Sequence, residues 1–557
     1  MFFLGMFTTF AQIIVNLKNK LHIRTALCMK QNSALHRLLL VLLSVALLCI
    51  GWLGGTGITL LVALIPLLII SENLSDSTRD WWRMCGWGAL TFLLWSAATI
   101  WWVWIATPIG PITAAIFGTF YNLCAVMAYH YTAKRAPRAL AYTLLVTVWL
   151  ATEYIYYSAD VMTFPWLLLG HGFSNDIWAV QWYEYTGIFG GSLWALASNI
   201  AIFETMRTRT TTAKVRATLI VFVPMLVSIT LLLCYTPSNR TTEISVIQPN
   251  VPCYEDERIT AGKMDPTQDI AELMAQVPAT SSFLLLPESA LAYIPKIGST
   301  EEYNLGNFAP LLRYIQGDGH PNTKLITGAS TRVRYNQTKA TDTAHYYEGY
   351  GWYDQFNSAL LINSDGTTED IYHKGKLVIG VEAVPLKSLF DTFEVDLGGV
   401  SGQLGWGREH TLFTNNDIAI GPSICYEGLY GGYFAGFARE GAEVMALISN
   451  DGWWGNTPGH KRLFDFCRLR AIETRRSIAR SANTGISGFI SPIGDVIGER
   501  LEWDEEGVLT EEVELRSDKT IYTLYGDWIA RIATYIAVLS VMYYVAYRIR
   551  KRNHLVE

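Results

Sequence analysis

The chain reads as a multi-span α-helical membrane domain joined to a globular α/β domain, and three observations predict that pairing. Half of its 557 residues are hydrophobic, only 17% are charged, and the mean hydropathy is +0.21. That is too apolar for an ordinary soluble protein and too long for one domain. The apolarity is also unevenly placed, because residues 38–78, 84–133, 139–206 and 217–239 contain no Lys or Arg. Each such window has room for one or two crossings at roughly 20 residues per helix. From about residue 241 to 519 the composition becomes that of a globular domain large enough to bury its own core.

Taken in order, spans are expected at 38–53, 56–70, 85–106, 110–130, 139–158, 183–204, 217–235 and 523–547. The first two are short and joined by Gly51-Trp-Leu-Gly-Gly-Thr-Gly57, which predicts a tight helical hairpin. Trp81, Trp82, Trp101, Trp102 and Trp104 fall at proposed ends, where amphipathic indoles favour the headgroup zone. Alternate loops are basic. Lys18, Lys20, Arg24, Lys30 and Arg37 precede the first span, and Arg79 and Arg83 follow the second. Lys134, Arg135 and Arg138 follow the fourth, Arg207, Arg209, Lys214 and Arg216 the sixth, and Arg548, Arg550, Lys551 and Arg552 the last. The positive-inside rule then puts both termini in the cytoplasm and the 241–519 block outside. Buried helices of a soluble protein would not produce this alternation.

The expected organisation is a cytoplasmic segment at 1–36, a membrane domain of about seven helices at 37–240, the outer domain at 241–519, and a last span with a basic tail at 520–557. Residues 1–15 are apolar but short, and no small-residue cleavage pattern follows them, so a removed signal peptide is not expected; Met29, followed by Lys30, offers a second start. The net charge of −6 sums an acidic outer block and basic inner loops, and no basic stripe with interleaved aromatics suggests nucleic-acid binding. None of the eight cysteines has metal-ligand spacing, so no metal is expected. Three of them, Cys253, Cys425 and Cys467, lie in the outer block, where an odd count leaves at least one thiol unpaired.

Within that block, apolar runs bounded by turn residues predict strands at 244–248, 283–286, 325–328, 358–362, 418–425, 444–449 and 487–491. Helical periodicity occurs at 269–276 and 308–315. It is clearest at 460–476, where Leu463, Phe464, Cys467, Ala471 and Ile472 form one stripe. The run Ala419-Ile-Gly-Pro-Ser-Ile-Cys-Tyr-Glu-Gly428 is an apolar strand that ends at a thiol and a glycine-bearing turn. Upstream, Leu284-Leu-Leu-Pro-Glu288 and Tyr372-His-Lys-Gly-Lys-Leu377 offer a carboxylate and an ammonium at strand ends. A thiol needs both, one to take its proton and one to stabilise an oxyanion. The chain therefore proposes Glu288, Lys374 and Cys425 as a triad. Lys376 competes with Lys374, being two residues away on the same face of an extended segment.

The order Pro287-Glu288, Tyr372-x-Lys374, Glu382-Ala-Val-Pro385, Cys425-Tyr426-Glu427, Ser449-Asn-Asp-Gly-Trp-Trp-Gly455, Arg468 to Glu473 and Asn483-Thr-Gly485 resembles the nitrilase superfamily. With spans on both sides, Phe164-Pro-Trp166, Tyr183-x-Tyr-Thr-Gly187 and Tyr525-Gly-Asp527, the chain is similar to the apolipoprotein N-acyltransferase family from about residue 37 onward. The resemblance implies a nitrilase-like α-β-β-α sandwich with Cys425 as nucleophile, Glu288 as general base and Lys374 as partner of the oxyanion. Glu382, Tyr426, Glu427, Asn450 and Trp453 are implied as supporting or substrate-binding residues. The eight-residue spacing to Glu382 favours Lys374 over Lys376. One departure is Glu257, where many members carry a Trp about nine residues past the Gln of Gln248-Pro-Asn-Val251.

What the family implies is acyl transfer without a cofactor, from a membrane phospholipid through a cysteine thioester to the amine of a diacylglyceryl-cysteine lipoprotein. A monomer in the bacterial inner membrane, with its catalytic domain on the periplasmic side, is expected. Rival readings are a membrane-tethered amidase acting on soluble amides and a transporter with an outer regulatory domain. The first needs one span, and the second needs broken helices and mid-membrane ionisable groups. Smaller alternatives stay open. Glu427 could pair with Arg468 or Arg470, Glu153 and Glu184 could contact headgroups, and Cys253 is expected in a surface loop.

Overall fold

A computed structural model describes residues 33–159, 163–263, 266–290, 311, 313, 322–335, 338–383 and 403–553. Residues 1–32 of the expected 1–36 segment and most of the expected 308–315 helix lie outside these residues. Helices occupy all eight expected spans: α1 (Ala34–Cys49), α2 (Ile65–Asn73), α3 (Thr78–Ile100), α4 (Gly110–Ala133), α5 (Arg138–Ser158), α6 (Ile188–Thr208) and α7 (Thr211–Leu233), and, after the globular domain, a last helix, Trp528–Asn553. By length and composition, five stretches among the described residues suit a membrane crossing: Ala34–Leu53, α4, α5, α7 and Trp528–Arg552. The stretch Gly57–Asn73 is shorter.

Local sequence explains where these helices start. Ser33, Ser77 and Thr210 each accept a backbone N–H from the first turn of α1, α3 and α7, satisfying a donor that the helix leaves open. The α1–α2 hairpin is as tight as its glycines suggest. A Cβ on Gly57 would lie 2.2 Å from the Gly172 carbonyl, so the hairpin packs backbone to backbone on the buried turn Leu169–Phe173. The span expected at 183–204 is broken at Gly187, whose φ of 61° ends the short helix Tyr183–Thr186 before α6 begins.

Among the described residues the globular domain holds two sheets. The first has the order β13-β1-β2-β3-β5-β4, with β6 also on β5; the strands are β1 (Thr241–Gln248), β2 (Phe283–Leu285), β3 (Lys324–Arg334), β4 (His345–Tyr347), β5 (Gly351–Ile362), β6 (Thr368–His373) and β13 (Gly507–Glu514). The second has the order β12-β11-β10-β9-β8-β7, from β7 (Phe413–Asn415), β8 (Ile418–Ile424), β9 (Val444–Ser449), β10 (Ser477–Ala482), β11 (Ser487–Ile490) and β12 (Val496–Leu501). The strands β1, β2 and β3 run parallel, as do β8, β9 and β10. The sheets meet through β1 and β10, where the Ser481 hydroxyl donates to the Ile247 carbonyl at 2.7 Å. Helix α8 (Thr267–Met274) packs Ile270, Ala271 and Met274 against the outer face of the first sheet. Helices α9 (Gly431–Glu440) and α10 (Pro458–Thr474) cover the second, completing an α-β-β-α sandwich. The last helix, Trp528–Asn553, is α11.

All seven expected strands are present, and β4, β6, β7, β10, β12 and β13 were not foreseen. The strand β10, Ser477-Ile-Ala-Arg-Ser-Ala482, lacks the bulky apolar run that marks a buried strand, yet every residue is buried. Arg480 is tolerated there because its guanidinium meets both Asp451 oxygens at 2.9 Å. Helix α10 lies between the sandwich and the membrane helices. On that side Arg462 donates to the Gly51 carbonyl at 3.0 Å and Phe466 stacks on His171.

Candidate active site

The site is built where four strands end, β2, β8 and β9 from the parallel sets and β6, which pairs antiparallel with β5. Glu288 lies three residues past β2, Lys374 directly follows β6, Cys425 follows β8, and Asn450 follows β9. The Lys374 ammonium, 1% exposed, donates to Oε1 of Glu288 at 3.1 Å and to Oε1 of Glu382 at 2.9 Å. Asn357, on β5, donates its amide Nδ2 to the same two oxygens at 2.7 and 2.8 Å. The other oxygen of Glu288 accepts the Asn450 N–H at 3.0 Å, and that of Glu382 accepts the Val378 N–H at 2.8 Å. Burial alone would depress the Lys374 ammonium; the Glu288 and Glu382 carboxylates outweigh it and hold the group above its ordinary range.

Cys425 opens a tight turn, Cys425–Leu429, with φ of +48°, a left-handed conformation that a side chain seldom adopts. Such strain persists only where surrounding contacts impose it. Glu427 supplies several. Its Oε2 accepts the Ile424 N–H at 2.7 Å, and its Oε1 accepts the Tyr372 hydroxyl at 2.5 Å and the Gly375 N–H at 2.6 Å. One carboxylate thus ties the Cys425 turn to the Lys374 loop. Burial raises the Glu427 carboxyl to about 7, against the lowering effect of these donors. The Cys425 thiol, 5% exposed, is pushed well above its ordinary range by burial and then by the Glu288 charge, while Lys374 acts in the opposite sense.

Lys374, not Lys376, joins the carboxylates; the Lys376 ammonium lies over the Tyr430 ring at 5.4 Å. Glu427 pairs with neither Arg468 nor Arg470: Arg470 is bound to Glu473, and Arg468 donates to the Gly494 carbonyl. Cys253 is buried, not in a surface loop, and its thiol donates to Oδ1 of Asn450 at 3.1 Å. That oxygen also accepts from Asn483 at 3.2 Å, so Asn450 is fixed from two sides as its N–H holds Glu288. The Tyr426 hydroxyl donates to the Thr163 carbonyl at 3.4 Å, joining the turn to the membrane half. Trp453 packs edge-on against Tyr254, while Glu257 is exposed on the outside of a short helix. Glu184 is salt-bridged to Arg475 at 2.6 Å, and Glu153 is buried, accepting from Trp149 and the Leu169 N–H, so neither is a freely solvated headgroup contact. Asn357 was not foreseen. It lies in a polar stretch of β5 with Asp354, Gln355 and Ser358, so nothing local distinguishes it, and the two carboxylates it meets come from other segments.

Two family models match the chain: the carbon-nitrogen hydrolase model over residues 268–519 and the apolipoprotein N-acyltransferase N-terminal domain model over residues 32–201. The apolipoprotein N-acyltransferase of Chlorobaculum tepidum is 28% identical over 514 residues, covering 88% of this chain and 92% of that one. The corresponding protein of Gloeobacter violaceus is 23% identical over 510 residues, covering 88% and 90%. Among solved structures, an amidase of the nitrilase superfamily from Nesterenkonia covers 53% of this chain and 98% of its own, with 14% identity and a TM-score of 0.34.

Proposed function

Because the chain belongs to the apolipoprotein N-acyltransferase family and is an N-acyltransferase of bacterial membranes, we propose that Cys425 carries the acyl group between a phospholipid and a lipoprotein. The supporting observation is the convergence of Glu288, Lys374 and Cys425 in a buried site whose nucleophile turn is bonded to the membrane half. Glu288 takes the thiol proton, and the sulfur attacks an ester carbonyl of the phospholipid. The oxyanion so formed is stabilised by the Lys374 ammonium. The tetrahedral centre collapses, the lysophospholipid alkoxide leaves with the proton from Glu288, and a thioester remains on Cys425.

In the second half, the α-amine of a diacylglyceryl-cysteine lipoprotein attacks the thioester, gives its proton to Glu288 and forms an amide. Cys425 leaves as thiolate and takes that proton back from Glu288, which restores both groups. Glu382 and Asn357 hold Lys374 and Glu288 in register, and Glu427 holds the nucleophile turn. Both substrates are lipid-anchored, so lateral diffusion delivers them, and a site this buried protects the thioester from water.

The membrane domain spans residues 37–240, the catalytic domain 241–519 and the last span with its tail 520–557. The catalytic domain faces the periplasm, which the alternation of basic loops supports, and the protein acts as a monomer. Neither the tethered-amidase nor the transporter reading is favoured by the relatives. Mass spectrometry of the detergent-solubilised protein after exposure to labelled phospholipid tests the reading. Label is expected on Cys425, and none in Cys425→Ala or Glu288→Gln; label on another residue would overturn it.

A further inference from the structure

The nucleophile turn is held at both ends. Glu427 holds the Ile424 N–H at its start, and at its far end the Leu429 carbonyl accepts Nη1 of Arg470 at 2.8 Å. Arg470 is fully buried and ion-paired with Glu473, also fully buried: Nη2 donates to Oε1 at 2.8 Å, and Nε lies 2.8 Å from Oε2 without hydrogen-bond geometry. Oε1 of Glu473 in turn accepts the N–H of Ile188, the first residue of α6, at 3.0 Å. The surroundings leave this chain little freedom. A Cβ on Gly431 would lie 2.4 Å from Oε2 of Glu473, and one on Gly187 would lie 2.2 Å from the Tyr522 ring.

A buried ion pair is a poor source of net stability, since desolvation offsets the attraction. This pair instead spends its hydrogen bonds on two backbone groups, one at the nucleophile and one at a membrane helix. The turn it grips is strained at Cys425. We propose that Arg470 and Glu473 are positioning residues that couple the docking of α6 to the conformation of the Cys425 turn, so that the nucleophile is set for attack only against the membrane domain. The inference rests on Cys425 being the acyl carrier.

The test compares Glu473→Gln, Ile188→Pro and Glu184→Gln in the full-length protein. Ile188 is the first helical residue, where proline is tolerated, so that change removes the N–H to Glu473 while leaving α6 able to form. Glu184→Gln breaks a different bond between the two halves, the one to Arg475, which does not lead to the turn. Initial rates of Cys425 acylation are measured against phospholipid concentration, together with the pH profile of Cys425 alkylation.

For Glu473→Gln and Ile188→Pro, the maximal acylation rate is expected to fall on the order of 10- to 10²-fold, the scale of a misplaced reacting group. KM should be unchanged, and the alkylation profile should move to higher pH as the thiol leaves the field of Lys374. Glu184→Gln should stay within about twofold of the parent. Unchanged rates in the first two variants, a change confined to KM, or an equal loss in Glu184→Gln would overturn the coupling. Label that survives Cys425→Ala would instead overturn the assignment of the nucleophile.

Discussion

At Lys374 two carboxylates hold one ammonium above its ordinary range, while burial raises the Cys425 thiol, whose proton the proposed reaction gives to Glu288. Replacing Lys374 with Ala should slow acylation by about 10²-fold, the scale of a lost oxyanion donor. Replacing Lys376, which lies over Tyr430, should change it little. Single-turnover acylation of the two variants checks this, and the reverse ranking would exchange their roles. Glu427 makes the pH dependence visible. Its folded value is raised by burial to about 7, so the carboxyl is ionised above that pH and takes up a proton below it. The protonated form is a weaker acceptor for the Ile424 and Gly375 N–H groups, so acylation should fall as pH drops through about 7. In Glu427→Gln, which is neutral throughout, the rate should be low and lack that step; a step that persists in the variant would place it elsewhere.

The elements contribute by where they stop. Glu288, Lys374, Cys425 and Asn450 each follow a strand, and strands packed side by side leave little room for their ends to drift. Gly328 on β3 shows how tight this is. A Cβ there would lie 2.6 Å from Cα of Glu288 and 2.8 Å from both the Pro287 carbonyl and the Ser289 nitrogen, all backbone atoms. Gly328→Ala should therefore displace the end of β2, at an overpacking cost of about 1–3 kcal/mol, and lower acylation far more than it lowers thermal stability. Measuring both in one preparation decides the matter: parallel losses would mean general unfolding rather than displacement of Glu288. Helix α10 works differently, because it presents Cys467, Leu463 and Phe464 inward while Arg462, Phe466 and Glu473 bind the membrane half.

For the whole molecule, the basic loops predict that a periplasm-dependent reporter inserted in the exposed turn at Asp504 is active and one fused after Lys551 is inactive. The opposite pattern would reverse the orientation and remove the lipoprotein from reach. Much of this was legible in the chain itself. Helical spans show as apolar windows, buried strands as short apolar runs, and the order of Glu288, Lys374 and Cys425 as motifs, because hydropathy, period and motif are carried by neighbouring residues. Strand β10 escaped because its small side chains and Arg480 give no apolar signal, and Arg480 is acceptable only beside Asp451, 29 residues earlier. The bridging role of Asn357, the burial of Cys253 and the bond from Glu473 to Ile188 were decided by tertiary structure alone. Each depends on a partner from a distant segment, 285 residues away for Ile188 and Glu473. Local sequence specifies the face a residue presents; which group meets that face is set by the packing of segments the local pattern does not encode.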